Sequence, residues 1–229
     1  MNELLFFVSL LVAFTMVFLS YKYFGKTGLF AWIAFACPLA NIEAMRCVTI
    51  FGLPLTLGNA LFSSIFLSTD VLSEKYGLKE SKQGTYVGIV SLVCFVAFTQ
   101  LAIRFKINDM DFSDAAFQTL FGLSPRICLA SLVTFCTSGL CDSYLYYFWK
   151  KILPSKKWLW VRNNGSTMFS QIVDSLMFTF IAFYGEFSLK DVFIVAGTTY
   201  VAKWILAFFD TPFLYIIDKF SGKHEGETD

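Results

Sequence analysis

The amino-acid sequence predicts an all-α fold, a polytopic transmembrane helical bundle of six to seven spans, and three observations carry that expectation. Of 229 residues, 56% are hydrophobic and 15% charged, against roughly 45–50% and about 25% in an average soluble domain. Mean hydropathy is +0.62 and 28 residues are Phe, more apolar surface than a soluble domain of this length can hide behind polar side chains. Apolar stretches of about 20 residues then recur along the chain, the length a helix needs to cross a hydrocarbon layer about 30 Å thick. These features exclude a secreted globule, a disordered chain and a soluble cytosolic enzyme. A formal net charge of +1 offers no general attraction for nucleic acid.

Seven stretches qualify: 4–24, 30–50, 55–73, 84–104, 127–149, 166–184 and 192–217. The first follows Met1-Asn2-Glu3 without a basic segment and has no small-x-small cleavage site before Lys22 and Lys26, so it reads as a retained helix. The second and seventh carry polar residues, which leaves six spans as the alternative. Between the fourth and fifth, Phe112, Ala116, Phe117, Leu120 and Phe121 repeat at helical spacing beside Asp114 and Gln118, the pattern of a short interfacial helix. Residues 1–220 form a single integral membrane domain in this reading. The tail 221–229 is polar, is expected to be disordered, and holds the sole histidine, His224.

Orientation follows from Lys and Arg on alternate sides of seven spans. Twelve fall on one side, from Lys22 and Lys26 through Lys150, Lys151, Lys156, Lys157 and Arg162 to Lys219 and Lys223. Five fall on the other: Arg46, Arg104, Lys106, Arg126 and Lys190. The asymmetry places the C-terminus in the cytoplasm and the N-terminus outside. The six cysteines, Cys37, Cys47, Cys94, Cys128, Cys136 and Cys141, contain no C-x-x-C pair. They are expected to pack between helices rather than to bind metal, and no cofactor is expected.

Ionisable groups inside a span cost about 2.5–3.5 kcal/mol each at the helix centre, so several of them point to a polar cavity. Asn41 precedes Glu43 and Arg46, which can pair at i, i+3. Asp70 and Glu74, four apart, share a helix face with Asn59 near the same stripe. Two adjacent carboxylates can accept from a ligand's N–H edge or hold a proton or cation, while Glu74 alone can equally pair with Lys75 or Lys79. Ser138 and Asp142 repeat the four-residue spacing of Ser170 and Asp174, and the latter line extends back through Ser166 to Arg162, with Thr167 and Gln171 beside it. Such a stripe belongs in the bundle interior, as interhelical glue or as a substrate wall. Lys203 and Asp210 lie two turns apart on similar azimuths, and Lys203 can neutralise a buried aspartate. Asp210-Thr211-Pro212 is expected to break the seventh helix. Trp158 and Trp160 either anchor the interface or offer a face for a planar ligand.

Asn41-Ile42 with Arg46, the run 66–77 (Phe-Leu-Ser-Thr-Asp-Val-Leu-Ser-Glu-Lys-Tyr-Gly), Arg126 with Ala130-Ser131, and Trp160-Val161-Arg162 leading to Ser166-Thr167 and Gln171-Ile172-Val173-Asp174 resemble the queuosine precursor transporter family, also called the vitamin uptake transporter family. The resemblance runs from about residue 40 to 215. Two positions depart from the family pattern: Arg46 stands for Lys, and Gly139 for Gln. The resemblance implies a plasma-membrane importer, in a bacterial or archaeal cell, of a 7-deazapurine such as 7-cyano-7-deazaguanine, its aminomethyl relative or queuine, supporting queuosine modification of tRNA. A deazaguanine offers N–H donors to a carboxylate, for which Asp70, Asp142 and Asp174 are candidates. Its carbonyl or cyano group suits Asn41, Arg126, Arg162 or Gln171, and its flat face suits Trp160. The site set is completed by Glu74, Lys203 and Asp210, with room for a coupling proton or cation and for a homo-oligomer.

Other readings follow from the residues themselves. No G-x-x-x-x-G-K-[ST] loop is present, so the chain does not hydrolyse ATP itself, though it can serve as the substrate-binding subunit of a larger transporter. An intramembrane enzyme using its carboxylates would lack both H-E-x-x-H and G-x-S-x-G. A purely structural role would make the polar stripes glue alone.

Overall fold

The computed structural model describes residues 1–50, 52–108, 110–122, 125–185 and 188–220. The predicted tail with His224 lies outside the described residues. Helix α1 (Asn2–Ala44) is two rods joined at Gly25, whose φ of 57° and ψ of −137° belong to a region that side chains with a Cβ rarely enter. The chain doubles back there. A Cβ on Gly28 would stand 2.1 Å from the Ser20 carbonyl oxygen, so only glycine permits the close return. Farther along the hairpin, Ala13 and Ala40 meet Leu61 in one cluster, and Asn2 Nδ2 reaches the Thr49 carbonyl at 3.4 Å. The two arms correspond to the first two predicted stretches.

The second arm ends at Ala44, six residues short of the predicted boundary. Strands β1 (Cys47–Ile50) and β2 (Leu53–Thr56) form an antiparallel hairpin instead, with Ile50 opposite Leu53. The cause is local: Val48, Thr49 and Ile50 are β-branched, Gly52 takes a φ of 77° in the turn, and Pro54 resists helix.

Helix α2 (Gly58–Tyr76) is buried along residues 58–73 and packs against α1, α3 (Leu78–Ala102), α5 (Pro125–Ile152) and α7 (Leu189–Lys219). It is the axis of the bundle. The expected short helix is α4 (Asp114–Phe121), which leans on the end of α3 through Phe121 against Phe95 and through Gln118 Nε2 on the Ile103 carbonyl at 3.2 Å. A single 3-10 turn, Lys156–Trp158, leads into α6 (Leu159–Phe183). That helix begins seven residues before the predicted boundary, because Arg162, Asn163 and Asn164 continue it although they are polar.

The break expected at Asp210-Thr211-Pro212 is absent: α7 runs through Pro212. The Thr211 hydroxyl donates to the Ala207 carbonyl at 3.3 Å, and packed neighbours tolerate the lost backbone donor, as happens in transmembrane helices.

Polar residues of α2, α5 and α6 face inward, while Val90, Phe98 and Leu101 of α3 and Phe193, Ile205 and Phe208 of α7 are exposed. This inverts the pattern of a soluble domain and marks a membrane protein. Among the described residues, three helices are long and apolar enough to cross a membrane: Asn2–Ala44, Leu78–Ala102 and Leu189–Lys219. Of the lysines predicted to share one side, Lys26 pairs with Glu80 at 3.2 Å and Lys75 and Lys156 pair with Asp218 at 3.4 and 2.7 Å at one end of the bundle, while Lys223 lies outside the described residues.

Candidate functional site

At the opposite end, a cavity of about 610 Å³ opens among α1, α2, α3, α5, α6 and α7. Its wall is mainly apolar and rich in phenylalanine, with Phe62, Phe66, Phe95, Phe121, Phe135 and Phe178. Asn41, Asn59, Gln100, Thr134, Asp174 and Lys203 interrupt that wall. Asn41 is held by its own helix, its Nδ2 donating to the Cys37 carbonyl at 2.9 Å, which leaves the amide oxygen for another group. Asp174 accepts from the Ser138 hydroxyl at 3.0 Å and forms an ion pair with Lys203. The two charges neutralise each other across α6 and α7, as a low-dielectric wall requires. Lys203 therefore does neutralise an aspartate of the bundle, and that aspartate is the partly buried Asp174.

Below the cavity the bundle narrows to a void of about 10 Å³ lined by Asn59, Thr167, Gln171, Lys203 and Asp210. The Gln171 Oε1 is buried and finds no partner among the described residues. Deeper still lies a layer of carboxylates: Asp70, Asp142 and Asp210 are 1%, 0% and 1% exposed. Asp210 accepts from Asn163 Nδ2 at 2.6 Å, and Asp142 from the Ser170 hydroxyl at 2.9 Å. Asp70 faces Asp142 directly. The stripe of Arg162, Ser166 and Ser170 is fully buried, and together with Asp174 it runs from the basic end to the cavity along one side of α6.

The basic end is shut by a network around Glu74. Arg162 Nη2 donates to Glu74 Oε1 at 2.9 Å, and its Nη1 reaches the carbonyls of Leu153 and Ser155 at 2.7 and 3.2 Å. The Tyr146 hydroxyl donates to Glu74 Oε2 at 3.1 Å, and Lys150 caps the end of α2 through the Ser73 carbonyl at 3.1 Å and the Glu74 carbonyl. The network joins α2, α5 and α6 below the carboxylates.

The structure thus spreads the sequence-derived candidates over four levels. Asn41, Asp174 and Lys203 line the cavity, Gln171 and Asp210 the neck, Asp70 and Asp142 the buried layer, and Glu74 and Arg162 the closed end. Trp160 is 48% exposed and turns away from all four. The Arg126 side chain lies outside the described residues. Gly139 sits where a Cβ would approach Thr85 Cγ2 to 2.8 Å, so a larger side chain there displaces α3. Sequence reasoning missed Asn163, Tyr146, Lys150 and the cavity phenylalanines. Asn163 was legible as a second polar position beside Arg162, whereas no signal separates six lining phenylalanines from 28.

Comparison with known proteins identifies the family. The chain is 38% identical over 209 residues to a protein of Bacillus subtilis (strain 168) named probable queuosine precursor transporter, covering 91% of each chain. It is 25% identical over 145 residues to the queuosine precursor transporter of Escherichia coli (strain K12), covering 63% of this chain and 62% of that one. No solved structure matches. Residues 56–217 match the family described as putative vitamin uptake transporter, the stretch that holds every level of the site except Asn41. The chain accordingly belongs to the putative vitamin uptake transporter family, whose members are transporters and not enzymes.

Proposed function

We propose that the protein imports queuosine precursors, 7-deazaguanine derivatives, across the plasma membrane. One observation carries the reading: a cavity of about 610 Å³ with a phenylalanine-rich wall interspersed with polar groups stands over a closed polar network. That volume falls within the roughly 300–1,000 Å³ of small-molecule sites. The phenylalanines suit the flat face of a bicyclic base. Asp174 accepts from its ring N–H and exocyclic amine, and Asn41 and Lys203 approach its carbonyl or cyano group.

The two arms of α1 with α2, α3, α5, α6 and α7 make seven rods, each read as one span of a single domain. The basic end lies in the cytoplasm with the C-terminus, and the cavity faces outside with the N-terminus. Glu74 and Arg162 close the inner side, so import requires that network to part as the outer cavity narrows, an alternation between two sides of a site near the midplane.

The test uses a host unable to make or import queuosine precursors, expressing this chain and fed each deazapurine at low concentration. Queuosine in its tRNA establishes import and names the ligand. Absence of queuosine with every precursor, in cells whose membranes contain the protein, overturns the reading.

A further inference from the structure

Beneath the neck, Asp70 of α2 and Asp142 of α5 face one another in complete burial. Neither oxygen of Asp70, nor Oδ2 of Asp142, has a donor among the described residues. The basic side chains nearby are engaged elsewhere, Arg162 by Glu74 and Lys203 by Asp174. Two facing carboxylates without a cation repel strongly, and one proton held between them removes the repulsion and supplies the missing donor.

The remaining surroundings suit a proton better than a metal ion. Among the described residues, no cluster of His, Cys, Asp and Glu has the shape of a metal site. Asp210 of α7 and Glu74 of α2 act on Asp70 electrostatically, and Tyr146 of α5 lies within their field. From α3, Ser81 bridges the two helices, its hydroxyl 3.0 Å from the Thr69 carbonyl and 2.8 Å from the Ser143 hydroxyl. The buried positions of α1 contribute only Tyr21 and Cys37 as titratable groups. A second observation marks a path. The void of about 10 Å³ has room for about one water, and its wall includes the buried Thr167 hydroxyl, which lies beside Asp142, and Asp210. A proton entering from the cavity needs one relay through this neck.

We infer that Asp70 and Asp142 together hold the single proton that is carried inward with each substrate molecule. The inference rests on the importer reading. The pair sits between the cavity and the Glu74–Arg162 closure, so loading from one side and release to the other follow the same alternation as the substrate. The step forms one O–H bond at the carboxyl pair from an external proton and breaks it on the cytoplasmic side.

Two measurements on the purified full chain decide it. Infrared spectra at neutral pH are expected to contain a protonated-carboxyl C=O band that Asp70→Asn and Asp142→Asn each remove. Both variants are expected to fold, since the introduced amide donates to the remaining carboxylate in place of the proton. No such band in the wild type overturns the inference.

In liposomes with the membrane potential clamped, wild-type protein is expected to exchange labelled 7-cyano-7-deazaguanine without a gradient. With the outside one pH unit more acid, it should accumulate the compound about tenfold, the decade equivalent to about 1.36 kcal/mol. Exchange with no gradient-driven accumulation overturns the proton inference and leaves the importer reading standing. No exchange of any deazapurine overturns the importer reading, and the infrared band still decides whether the pair binds a proton.

Discussion

Asp174 and Lys203 are each tolerable in the wall only because the other is present. Asp174→Asn is expected to abolish uptake at normal membrane abundance, because it removes the cavity's only carboxylate among the described residues; uptake at the wild-type rate would remove Asp174 from the proposed binding site. Lys203→Met should destabilise the protein by leaving Asp174 unpaired, and Asp174→Asn with Lys203→Met should recover much of that loss, since a neutral pair carries no desolvation cost. A double-mutant cycle in thermal stability measures the recovery. Arg162 illustrates the same rule with deeper burial. Arg162→Ala leaves Glu74 with the Tyr146 hydroxyl and with Lys150 at 3.9 Å but strips two carbonyls of their donor, and is expected to cost about 3 kcal/mol, read as a fall in melting temperature in detergent. Sequence alone placed Arg162 on an inward stripe and offered it to a ligand's carbonyl or cyano group, and offered Glu74 either to a ligand or to Lys75 or Lys79. Arg162 instead serves Glu74 and two carbonyls, because the i, i+4 stripe that reveals a shared face says nothing about what the next helix brings to it.

Helix α1 depends on Gly25 and Gly28 to turn one long apolar segment into two rods. Gly28→Leu drives side-chain atoms into the Ser20 backbone and is expected to leave no monodisperse protein by size-exclusion chromatography. Gly25→Ala adds about 1–3 kcal/mol of backbone strain, a milder defect visible as a lower melting temperature. Normal behaviour of Gly28→Leu would contradict the hairpin. Hydropathy located both arms because lipid-facing residues dominate their composition, yet it overran the second arm into β1, since Val and Ile score as apolar in a strand as well as in a helix. The same blindness produced the late start of α6 and the false break at Pro212. Polar residues and proline look like boundaries along the chain, although within a packed bundle neighbouring groups satisfy them.

Across the whole molecule, the lysine-rich end and the cavity end lie on opposite faces, so orientation is directly testable. A Cys placed at Lys156 in a background without the native cysteines is expected to react only with reagent admitted to the cytoplasm. Labelling solely from outside would overturn the proposed orientation. The helical fold, the membrane setting, the two-sided charge distribution and the inward stripe on α6 were all determined by the sequence. Each is a property of composition or of spacing within one helix. Only the tertiary structure decided that Lys203 meets Asp174, that Asp70 meets Asp142, that Trp160 faces outward, and that the site is layered from a phenylalanine-rich cavity to a closed basic end. Those facts depend on the rotation and depth of helices relative to one another, which arise from packing between residues as far apart as Glu74 and Arg162 and leave no periodicity in either segment.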